Sequence, residues 1–190
     1  ATMTILAWVY ADGQGEGGFG RLFGANETQN SFLLLHNNVA DVLLFNYFFS
    51  TTYGEWSFPA TDGQWNAISL TYDRGDVANN PAARVQFTPV TVTRIQAPVG
   101  TPTSPLTGYC VGNESGQTTT WDGGLMHLFF HTGILSAADQ DKQLRYPGSV
   151  TTNGLLWLPM LNQNYTRALT VSAGRWVTDA NTPTATATRT

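Results

Sequence analysis

The sequence predicts an all-β antiparallel sandwich of two sheets with one short helix. Three observations lead there. Short runs rich in β-branched and aromatic residues recur along the chain, clusters of Gly, Pro, Asn and Asp separate them, and a helical period is almost absent before residue 136. At 190 residues, with 42% hydrophobic side chains, the chain is long enough for one domain with a sizeable core.

Taken in order, strands are expected near residues 3–11, 19–24, 32–36, 42–49, 55–58, 65–72, 84–87, 90–95, 109–112 and 125–131. Residues 3–11 are apolar enough to suggest a secretory signal. They lack a basic flank and run into a glycine-rich turn, so a strand is the better reading. The helix follows: Ser136 can cap it, Asp139 falls at the capping-box position, residues 137–145 form its body and Pro147 stops it. Two further strands are expected at 154–161 and 168–171, which places the domain at residues 1–180. Residues 181–190 are Thr/Ala/Pro-rich and read as a tail.

Charge and motifs exclude several functions. Charged residues make up only 12%, Lys142 is the one lysine, and the formal net charge is −4. With no basic stripe, nucleic acid is not an expected partner. No apolar run reaches the length of about 18 residues that a spanning helix needs, so a membrane is not expected either. Cys110 stands alone and cannot form an internal disulfide. Gly13-x-Gly15-x-x-Gly18 matches a dinucleotide fingerprint, but a strand follows it where that chemistry needs a helix N-terminus. His127 and His131 are about 13 Å apart on an extended strand and cannot share a metal ion. No Glu-x-Asp-x-x-Glu cluster of the kind glycosidases require is present, nor a Gly-x-Ser-x-Gly elbow, so no catalytic residues are assigned. The sequons at Asn26, Asn113 and Asn164 are about as many as chance supplies.

Three segments carry a resemblance. Thr4-Ile5-Leu6-Ala7-Trp8-Val9 comes first, and Trp65-Asn66-Ala67-Ile68-Ser69-Leu70-Thr71-Tyr72-Asp73 second. The third runs from Gly112-Asn113 through Trp121-Asp122-Gly123-Gly124-Leu125 to Leu135-Ser136-Ala137-Ala138-Asp139. In order and spacing they resemble the opening, middle and closing strands of the laminin-G-like branch of the concanavalin-A-like jelly roll. The resemblance implies a two-sheet jelly-roll sandwich, with Trp8 and Trp65 filling the core between the sheets. There are departures: the family's acidic pair after the closing turn is replaced by Met126 and His127, and its Asn-Gly or Asp-Gly turn by Thr88-Pro89. No cofactor is therefore expected; calcium is suggested by family analogy alone.

The C-terminal stretch Gly154-Leu155-Leu156-Trp157-Leu158-Pro159-Met160, following Tyr146-Pro147-Gly148, resembles structural proteins of tailed-phage virions. That implies a capsid decoration protein on the virion surface, with its own copies or a capsid protein as partners and glycans as a further ligand. The alternative is an extracellular carbohydrate-binding module; a glycoside-active enzyme ranks third. For a glycan, the expected contacts are Tyr53, Trp56 and Trp121 as stacking platforms and Asp62, Asp76 and Asn79 as hydroxyl partners on loops at strand ends. Residues 155–158 are expected to fill a sheet edge, and the 181–190 tail to hold onto its own sandwich or a neighbour.

Overall fold

The computed structural model describes residues 2–13, 15, 18–25, 31–36, 39, 41–104, 108–113 and 119–149, together with the backbone of two later strands, Gly154–Leu158 and Leu169–Val171. The expectations for the 181–190 tail and for the sequons at Asn26 and Asn164 lie outside the described residues.

Among the described residues thirteen strands build two antiparallel sheets. They are β1 (Thr2–Ala11), β2 (Gly20–Ala25), β3 (Phe32–His36), β4 (Val42–Tyr47), β5 (Gly54–Pro59), β6 (Trp65–Asp73), β7 (Ala82–Val85), β8 (Thr88–Val90), β9 (Thr93–Gln96), β10 (Tyr109–Val111), β11 (Gly123–Thr132), β12 (Gly154–Leu158) and β13 (Leu169–Val171). The first sheet has the order β12-β11-β1-β6-β7-β8 and the second β13-β10-β2-β3-β4-β5-β9. The sandwich expected from the sequence is the fold.

Side chains alternate across the pleat, so every second residue of a strand enters the interior. From the first sheet these are Met3, Ile5, Ala7 and Val9 on β1 and Leu125, Leu128 and Phe130 on β11. The second sheet answers with Phe23, Phe32, Leu34, Leu43, Phe45, Tyr47, Trp56 and Phe58. The interior is an aromatic lattice: Phe45 stacks on Trp56 at 5.9 Å, and Tyr72 meets Phe45 edge-on at 5.6 Å.

The helix α1 (Ala137–Arg145) lies against the outer face of the first sheet, over Leu6, Ala67 and Phe129, and buries Leu144 there. Ser136 caps it as expected, accepting from the Asp139 N–H at 3.2 Å. Arg84 of β7 ties it down through Asp141. The helix is the reason Leu6 is buried on the outer side of β1 as Ile5 and Ala7 are on the inner side: both faces of that stretch are covered.

Two sequence-level expectations are corrected. The expected strand at 90–95 is two strands in different sheets, because the chain crosses the sandwich between β8 and β9. The hairpin turn is Gln86-Phe87 rather than Thr88-Pro89. Both turn residues have positive φ, 49° and 65°, the pattern of a primed two-residue turn. Neither is a glycine or asparagine. Gln86 is held by its Nε2 donating to Trp65 O at 2.6 Å, and Phe87 by packing edge-on to Trp8.

Candidate functional site

The six loop residues expected to bind a glycan do not converge. Tyr53, Asp76 and Asn79 lie on loops at one end of the sandwich, where β5 begins and β6 ends. Asp62 and Trp121 lie at the other, where β6 begins and β11 is about to. Trp56 and Trp121 are corrections. Trp56 is fully buried, its Nε1 donating to Asn80 Oδ1 at 2.9 Å, and Trp121 is 4% exposed, with Nε1 on Gly124 O at 3.3 Å. Trp56 faces the core because its register on β5 puts it on the inner side of the pleat, and Trp121, just before β11, packs into the same interior, so neither can stack on a sugar.

The polar members serve their own loops. Asp76 accepts from the Ala78 N–H at 2.8 Å, and Asn79 Nδ2 donates to Asp73 O at 3.0 Å. Asp62 accepts from buried His36 Nε2 at 2.8 Å and exchanges backbone-to-carboxylate bonds with Asp41. Among the described residues no group of three His, Cys, Asp or Glu side chains could hold a metal ion. The calcium suggested by analogy therefore does not fit these rim carboxylates.

A different surface gathers aromatic and polar groups. On the outer face of the first sheet, where α1 ends, an open concavity of about 470 Å³ is lined by Trp8, Trp65, Met126, His127, Leu144, Arg145 and Tyr146. The expectation that Trp8 and Trp65 fill the inter-sheet core is thus corrected: both are half-buried on the outside. Trp8 pairs with Ala67 and Met126 on the neighbouring strands, and Tyr10 one pleat along with Trp65 and Gly124. Small Gly124 lets the Trp65 indole lie across the edge of the sheet, since a Cβ there would come within 2.6 Å of the ring. Tyr10 packs beside that indole at 5.7 Å.

The wall comes from the helix terminus. Trp8 Nε1 donates to Leu144 O at 3.0 Å, satisfying one carbonyl that the helix end leaves open. Arg145 places its guanidinium 3.9 Å above the Phe87 ring, and Tyr146 is 68% exposed at the lip.

His127 reaches the concavity through a β-bulge. The β1–β11 register slips between Leu6↔Phe129 and Trp8↔Met126, so β11 spends one extra residue there. His127 takes it up with φ +53°, a conformation His adopts more readily than most residues. The bulge lets Met126 and His127 line the same outer surface while Leu125 and Leu128 both point inward. Burial pushes the His127 imidazole pKa down, which favours the neutral ring. Its Nδ1 is buried with no partner among the described residues. The motif departure at Met126-His127 was the one signal in the sequence for this surface.

No protein-family model matches the chain, and no curated protein sequence matches it. Solved structures do match in fold. One is a candidate carbohydrate-binding protein from Bacteroides ovatus, with TM-score 0.62 and 12% identity over 83% of this chain. This chain spans 45% of that protein's length. Another is the heptameric SAP-like pentraxin from Limulus polyphemus, with TM-score 0.57, 12% identity, 91% of this chain and 83% of the pentraxin. At such identities the likeness establishes the jelly-roll sandwich and nothing finer.

Proposed function

We propose that this chain is a non-catalytic carbohydrate-binding β-sandwich, with the concavity beside α1 as its glycan site. The observation that carries the proposal is the pair of half-buried indoles, Trp8 and Trp65, flooring an open groove whose rim holds polar donors. Indole faces take up the apolar face of a sugar ring, while a few placed polar groups fix its orientation. The fold shared with a candidate carbohydrate-binding protein supports the reading. A glycan array probed with the intact chain and with Trp65→Ala tests it. Selective binding that disappears in the variant is expected; an array with no bound glycan, or binding indifferent to Trp65, overturns it.

A location on a virion surface, in contact with copies of itself or a capsid protein, is a second reading. The low-charge, single-lysine surface and the Tyr146-Pro147-Gly148 and Leu-Pro segments favour it. The fold likenesses do not bear on it. Co-sedimentation of the native protein with particles tests it, and a chain always recovered free and monomeric counts against it.

A further inference from the structure

We infer that the groove beside α1 selects a carboxylated pyranose, of the hexuronic acid class, and binds it without a metal ion. This rests on the glycan-binding reading above and adds the ligand's charge.

Hydrogen-bond donors outnumber free acceptors around the groove. Trp65 Nε1–H has no acceptor among the described residues, and Arg145 makes no ion pair among them. The acid one helical turn before it, Asp141, is occupied by Arg84 on both carboxylate oxygens. Burial favours the neutral His127 ring, and its Nδ1 is the buried nitrogen. A bare acceptor without a partner is tolerated in the interior better than an orphan N–H. The favoured tautomer therefore carries its proton on Nε2, the ring nitrogen left on the groove side. The lining thus offers donors at Trp65, His127 and Arg145, with the Tyr146 hydroxyl at the lip able both to donate and to accept, and not one carboxylate. The Trp8 indole already occupies the Leu144 carbonyl, which lessens the negative end of the helix at this wall.

A neutral sugar presents hydroxyls that need acceptors as well as donors. A carboxylate needs donors only, and a guanidinium is the group that holds it best. Arg145 is also held in place by stacking on Phe87, so little of its freedom is lost on binding. With the ring's apolar face on the indoles, the carboxylate falls to Arg145 and a ring hydroxyl oxygen to His127 Nε2–H.

Titration calorimetry on the intact chain tests this with three probes in the presence of EDTA. These are free glucuronic acid, an oligosaccharide ending in glucuronic acid, and the same oligosaccharide ending in glucose. The first two separate a free uronate from a polymer end as the source. The acidic end is expected to bind about tenfold more tightly than its neutral counterpart, a gap that narrows with salt. Arg145→Gln, at an exposed position, should level the two; Trp65→Ala should weaken both, and Trp65→Phe should restore part. Equal affinity for acidic and neutral ends, an acidic preference that survives Arg145→Gln, or a requirement for a divalent cation each overturns the inference. Neutral glycans bound as tightly as acidic ones, in a Trp65-dependent way, would overturn it while leaving the carbohydrate-binding proposal standing. Failure of every probe, together with an empty glycan array, removes both.

Discussion

Trp65 lies across the sheet because residue 124 is a glycine, and its neighbour Gly123 is a glycine for a different reason. Gly123 has φ +146°, and a Cβ there would sit 1.8 Å from Tyr10 O, against backbone that cannot move aside. Gly123→Ala is expected to destabilise by roughly 3 kcal/mol, seen as a lower urea midpoint. Gly124→Ala meets only the indole edge, so it should leave the urea midpoint nearly unchanged while weakening glycan binding several-fold. The two neighbouring substitutions thus separate folding from function. Tyr72 gives a third residue-scale test. Its hydroxyl is buried with no partner among the described residues, so Tyr72→Phe should stabilise the protein by about 1 kcal/mol, the unmet desolvation of that group.

At the scale of elements, the helix does two things: it covers the outer face of the first sheet and forms one wall of the groove. Ser136→Ala removes the cap and should cost about 1 kcal/mol. Leu144→Ala empties a buried position and should cost about 2–5 kcal/mol, and it should also lower glycan affinity because the wall shifts. This helix was legible from Ser136, Asp139 and Pro147, since caps and stops are local chemistry. The Gln86-Phe87 turn was not, because its positive φ values are held by Trp65 and Trp8, residues about twenty and eighty positions away in sequence. The bulge at His127 was hidden for the same reason. Register against β1 creates it, and nothing in Met126-His127-Leu128 by itself demands it.

Across the whole molecule, the sandwich was readable because strand runs and turn clusters are frequent and regular, whereas which face each strand turns inward was not. Trp8 and Trp65 read as core and Trp56 and Trp121 as surface. The structure reverses each: for the three on strands a shift of one residue in register exchanges the two faces, and Trp121, just before β11, turns into the interior. Asp62 and Asp76 lie on loops at opposite ends of the sandwich. The packed interior also sets an alkaline limit. Burial first, and then neighbouring Tyr47, raise the phenol pKa of Tyr109 to about 12 and that of Tyr72 further. A folded pKa above the unfolded value of about 10 means the folded state holds the phenolic proton more tightly. The resulting stability is complete below pH 10 and is lost as pH rises through the folded value. Urea midpoints are therefore expected to fall between pH 10 and about 12, and to fall less in Tyr109→Phe.

The central claim is that the outer-face groove, rather than the loop rims, holds the glycan. The chain has six tryptophans, and their indole N–H signals report on separate places. A nitrogen–proton correlation spectrum recorded during titration with a bound glycan from the array reads them together. The Trp65 indole and the His127 and Arg145 amides should shift in a saturable way, while the Trp56 indole, locked on Asn80, and the Trp121 indole stay in place. Shifts centred on Tyr53, Asp76 and Asn79, with Trp65 and His127 unmoved, would contradict the account.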